Sequence, residues 1–200
     1  AEKIFATSAK QSAETSKIYP RTWVAVLNLA HLLHAAHRDE EANRALEKAR
    51  VDYPEIWEIV SLQSEFVRQK QGPNAAFDLV AKFSRDHWWH YGAALALGRL
   101  YAEADDPEHA VQALRHASRL DVHEVDALDL IAQIRIRQHR LADAYAAQKE
   151  AVARQPDAPR QFALLSDILE KMGQTAAAKD AIAEVARLQA IGRAPQSLAN

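Results

Sequence analysis

Alanine returns at one phase of a 34-residue period five times in succession, at Ala42, Ala76, Ala110, Ala144 and Ala178. Trp23 and Trp57 share the period, as do Pro20 and Pro54, Pro73 and Pro107, and Pro156 three periods after Pro54. With Trp23 as position 1, the units begin at Trp57, Tyr91, Val125 and Pro159, and no insertion disturbs the register. Position 8 is always small: Ala30, Ser64, Gly98, Ala132 and Ser166. Position 7 is apolar except at Gln63, and position 24 is apolar except at Gln148. Such periodicity is a strong constraint, because a unit this short cannot bury its apolar face alone and must stack on its neighbours.

Small residues at two fixed positions point to pairs of antiparallel helices that touch closely there. The 41 alanines against 5 glycines favour helix throughout, since alanine has the best helix propensity and glycine costs about 1 kcal/mol. First helices are expected over 23–36, 57–70, 91–104, 125–138 and 160–172, and second helices over 40–52, 74–84, 107–120, 142–154 and 175–191. Asp106-Pro107 reads as an N-cap followed by proline at the first helical position. Gly72-Pro73 and Gly173 break the chain between helices, and Gly192 and Pro195 are expected to end the last one.

The 34-residue unit, the small residue at position 8, alanine at 20 and proline at 32 resemble the tetratricopeptide repeat (TPR) family. The third unit, with Leu97-Gly98, Tyr101, Ala110, Leu114 and Ala117, matches best. The chain departs from the family at position 4, where Val26, Val60, Ala94, Leu128 and Phe162 stand in place of tryptophan, and at position 32, where Trp88, Val122 and Ala190 replace proline. The resemblance implies an all-α fold, a right-handed α-solenoid of antiparallel helix pairs (a TPR superhelix) with about five and a half repeats. Residues 1–22 would be the second helix of a truncated preceding repeat, followed by repeats at 23–56, 57–90, 91–124, 125–158 and 159–191 and a tail at 192–200. A solenoid opening on half a repeat is expected to be a segment of a longer protein.

Composition narrows the function. Net charge is −2, with 25 Lys and Arg against 27 Asp and Glu, which disfavours a nucleic-acid binder working through a strong positive field. The one dense basic stretch, 135–140, reads as a solvated helix end. Zero cysteines exclude a disulfide scaffold, a thiolate zinc site and a cysteine nucleophile. No apolar run of about 18 residues spans a membrane, no signal-peptide core opens the chain, and the compartment stays open. His31, His34 and His37 are three apart, but only His31 and His34 share a helical face, His37 falling in the turn and Asp39 and Glu40 past the helix end, so neither a metal nor a cofactor is expected. No nucleophile-elbow, P-loop or dinucleotide-binding motif is present, and no enzyme is expected. Asp126 and Asp129 share a face and read as solvated carboxylates.

A TPR array implies a protein or peptide ligand held in its concave groove. Carried onto this chain, the family's groove positions fall on Val24, Leu27, His31 and His34, then on Glu58, Glu65 and Arg68. They continue at Leu95 and Arg99, at Asp126, Asp129 and Gln133, and in the fifth repeat at Arg160. Of the family's carboxylate-gripping residues only Arg99 has a counterpart, Leu27, His31, Leu62 and Leu95 standing at the others, so a C-terminal carboxylate is not the expected ligand. Trp88 and Trp89 form an aromatic junction between repeats two and three. Either Trp88 fills the inter-repeat joint, or the pair anchors a partner. The rival reading is a scaffold or spacer of a bacterial envelope, secretion or polysaccharide-assembly protein that self-associates through its repeat ends.

Overall fold

The computed structural model describes residues 22–193. The expected half-repeat at 1–22 therefore lies outside the described residues, apart from Thr22, and so does most of the tail. Ten helices and no strand are present among the described residues. The chain divides into two compact units, the boundary falling after Ala104 within the third repeat. The first unit holds α1 (Trp23–Ala35), α2 (Asp39–Asp52), α3 (Trp57–Gln71), α4 (Pro73–Asp86) and α5 (Tyr91–Glu103). The second holds α6 (Pro107–Leu120), α7 (Asp126–Arg137), α8 (Leu141–Arg154), α9 (Pro159–Lys171) and α10 (Thr175–Arg193). Helix α10 runs on through Gly192 rather than stopping there.

Short connections fold each helix back on the one before it, and sequential helices within a unit pack together. In the first unit the alternate helices α1, α3 and α5 also touch in sequence, so first helices lie side by side along one surface. All five position-20 alanines are buried. They sit where only a methyl group fits, and the larger side chains around them supply the apolar contact. Around Ala30 and Ala42, the core takes in Leu33, Leu46, Ala49, Ile59 and Phe66. In the second unit Leu169, Ala178 and Ala181 pack with Tyr145 and Leu165.

The two polar exceptions in the repeat pattern, Gln63 and Gln148, are buried all the same. Ile182, the position-24 residue of the last repeat, is exposed.

The turn between paired helices has a recurring form. Position 15 adopts the left-handed conformation in four repeats, at His37 (φ 57°), Asp105 (φ 57°), His139 (φ 58°) and Gly173 (φ 75°). At three of these turns the next amide reaches back to close the helix end, Arg38 N–H to Leu33 O at 2.8 Å, Arg140 N–H to Arg135 O at 2.8 Å and Gln174 N–H to Leu169 O at 2.9 Å. This is the Schellman arrangement, which satisfies carbonyls the helix cannot. The second repeat differs: Gly72 (φ 91°) takes the left-handed position one residue later and Pro73 opens α4. At α6 the expected cap forms, the Asp106 carboxylate accepting from His109 N–H at 3.2 Å with Pro107 next to it.

Candidate functional site

Because α1, α3 and α5 share a surface, side chains one turn apart along each helix converge on an open concavity of about 590 Å³ in the first unit. Leu27 and His31 come from α1, Glu58, Leu62, Glu65 and Arg68 from α3, and Arg99 from α5. Six residues marked from the sequence, Leu27, His31, Glu58, Glu65, Arg68 and Arg99, are thus brought to one place.

Charge in this concavity is partly spent within the protein. Arg68 Nη2 lies 2.9 Å from Glu65 Oε1, and Arg68 Nη1 lies 4.0 Å from Glu103. The hydrogen bond from Arg68, reinforced by one from Gln69, holds the Glu65 carboxyl below its usual range, and Glu65 in turn raises Arg68. Arg99 is exposed and makes no hydrogen bond or ion pair among the described residues.

Other marked residues lie elsewhere. Leu95 is buried in the core and presents nothing to a ligand. Val24 is exposed but does not line the concavity. His34 lines a separate depression of about 440 Å³ with His37, Asp39, Phe66 and Lys70. Its ring stacks on Phe66 at 5.0 Å and its Nδ1 meets Asp39 Oδ1 at 2.6 Å. Lys70 is paired with Glu40 in the same depression. Among the described residues, no group of three or more histidine or acidic side chains is placed to hold a metal ion.

In the second unit, Gln133 is exposed and Asp126 half-buried. Asp129 departs from the sequence expectation of a solvated carboxylate, being only 1% exposed. It is covered by Gln161 and Arg160, which α9 carries to it. The basic stretch 135–140 is solvated only in part: Arg137, His139 and Arg140 are exposed, and Arg135 is not. Arg135 is 7% exposed, and its guanidinium grips Glu108 of α6 with two hydrogen bonds of 2.6 and 3.1 Å. Gln138 and Arg140 also donate to Glu108, and together these donors pull its pKa down to about 2.

Trp88 does not fill the inter-repeat joint. It is 62% exposed and Trp89 57%, the two rings meeting edge to face at 5.9 Å. Trp57, Phe83 and His90 occupy the joint instead, with ring centroids 5.4 to 5.9 Å apart, and His87 stacks on Phe83 at 4.1 Å. Burial lowers the His90 pKa, and its Nδ1 accepts from Ala93 N–H to cap α5. Gly92 makes room for this packing: a Cβ there would lie 2.8 Å from Trp57 Nε1.

Trp57 and Leu100 also line the concavity and were not marked from the sequence. The only advance signal was Gly92 one repeat after Glu58, a missing side chain against which the Trp57 indole could lie.

No protein-family model matches the sequence, and no curated protein matches it significantly. Solved structures do. The BtubC (BKLC) structure from P. vanneervenii aligns with a TM-score of 0.76 at 13% identity, over 96% of this chain and 91% of that one. A MamA crystal structure aligns with a TM-score of 0.68 at 18% identity, over 82% and 96%. Pseudomonas aeruginosa PilF aligns with a TM-score of 0.66 at 17% identity, over 82% and 74%. All three are TPR-repeat proteins, and the all-helical, paired-helix architecture of this chain is the TPR fold.

Proposed function

We propose that the protein is a non-catalytic interaction module that holds a protein or peptide segment in the concavity of its first unit. The observation that carries this reading is the convergence of apolar Leu27 and Leu62 with exposed Glu58 and Arg99 on three successive first helices. An apolar strip supplies burial at about 25 cal/mol per Å². A cation with no partner of its own loses no internal pair when a ligand's carboxylate approaches, so it contributes orientation and register.

Peptides selected from a random displayed library against the full chain test this. Leu27→Asp and Arg99→Glu should each abolish capture of the selected sequences, while Trp88→Ala and Trp89→Ala should leave it intact. The reverse pattern would move the binding surface to the exposed tryptophan pair and overturn the reading.

A further inference from the structure

The Trp57 indole faces two ways. On one side it lines the first-unit concavity beside Leu27, Leu62 and Leu100. On the other it packs on His90 and Phe83, with ring centroids 5.7 and 5.4 Å away. Gly92 closes the remaining gap, since a Cβ there would lie 2.8 Å from Trp57 Nε1 and 3.3 Å from His90 Cε1. His90 itself is not part of the lining. The indole therefore has no slack on the protein side and yields only toward the concavity.

His90 keeps this seat in one protonation state. Its Nδ1 accepts from Ala93 N–H at 3.3 Å at the start of α5, the helix that carries Arg99 and Leu100 to the same concavity. A proton on Nδ1 would set donor against donor. It would also place a positive charge at a helix N-terminus, where the backbone dipole is already positive. Burial lowers the His90 pKa; Glu58 from α3 works against burial, and His87 from the end of α4 works with it.

We propose that His90 is an acid-sensitive latch on the concavity: protonation drives the ring from the α5 cap, Trp57 moves with it, and a bound segment is released. The proposal rests on the first-unit reading of function and adds a regulation of that same site. A ligand that selects the seated indole binds only the molecules with neutral His90. Its affinity therefore falls about tenfold one pH unit below the His90 midpoint. By linkage, the bound ligand must push that midpoint lower.

Two readouts on the full chain test this. The first needs no ligand: the Trp57 indole N–H resonance, assigned by its loss in Trp57→Phe, is followed from about pH 7.5 to 5. It should move with a single midpoint below about 6.5 while circular dichroism shows no loss of helix. It should stay still in His90→Asn, which keeps a cap acceptor but takes up no proton. The second is fluorescence anisotropy of a labelled peptide selected from the displayed library at neutral pH. That peptide should weaken about tenfold one pH unit below the midpoint, and should bind His90→Asn equally across the range. A still indole in the parent chain, an indole that moves as far in His90→Asn, or loss of helix in step with the indole shift would each overturn the latch. So would peptide binding that keeps its pH dependence in His90→Asn, or that loses it only in His31→Gln, which would make the histidine of the concavity wall the sensor. A library that yields no binder would defeat the functional reading, and the indole readout would still decide whether His90 moves the wall.

Discussion

The Ser166 hydroxyl of α9 donates a hydrogen bond to the Ala178 carbonyl of α10 across 3.0 Å. These are positions 8 and 20 of the fifth repeat, the two places where the period demands a small residue. A hydroxyl on the first helix can reach a backbone carbonyl of the second only if both side chains at the contact are small. Enlarging either partner must push the helices apart. Ala178→Leu should therefore destabilise by about 1–3 kcal/mol through overpacking, read as a lower midpoint in chemical denaturation. An unchanged midpoint would mean that this contact does not set the helix spacing.

The left-handed histidine turns make a prediction of opposite sign. His139 holds φ 58° while Gly173, at the equivalent turn, holds φ 75°. A side chain in this region is strained by about 1–2 kcal/mol, offset in part by the greater chain entropy glycine loses on folding. His139→Gly should raise stability by about 0.5–1 kcal/mol, whereas Gly173→Ala should lower it. Thermal melts of the two variants check the pair.

Acid should weaken the first unit through His90. Its folded pKa lies below the ordinary histidine value because of burial, and its Nδ1 must stay unprotonated to accept from Ala93 N–H. The unfolded chain thus binds this proton more readily than the folded one. Stability from His90 is complete above the unfolded pKa of about 6.5 and declines as pH falls through the lower folded value. His90→Asn keeps an acceptor at the N-cap and should flatten the stability profile between about pH 7 and 5.

Glu108 behaves as the opposite kind of group, a carboxylate whose pKa is pulled down to about 2 by Arg135, Gln138 and Arg140. Its contribution should be full above the unfolded carboxylate range and lost only as pH falls toward 2. Glu108→Gln should remove this acid-range dependence and leave Arg135, which is nearly buried, without its counter-charge. Direct measurement by NMR titration should find the Glu108 carboxyl still ionised at pH 3.

Much of the architecture is legible in the sequence, for a physical reason. A repeat imposes the same packing problem at every turn of the period, so five alanines in phase report a helix contact that one alanine never could. The half-turn breaks at Gly72 and Gly173 and the cap at Asp106 were legible for the same local reason, since a turn's backbone conformation is decided by the few residues that make it.

The side-chain neighbourhoods were not legible, because they join residues about one period apart. Nothing in the stretch 135–140 announces that Arg135 reaches 27 residues back to Glu108, or that Gln161 and Arg160 cover Asp129 from 32 and 31 residues away. Trp88 stands where proline usually ends a unit, yet Trp57, Phe83 and His90 already fill that joint, and the indole is left to solvent. Local sequence determined which residues turn, cap and approach closely, through backbone preference and side-chain size. Only the tertiary structure decided which charges are spent inside the protein and which, like Arg99, stay unpaired among the described residues, because burial and pairing depend on what the neighbouring helix brings to the same point.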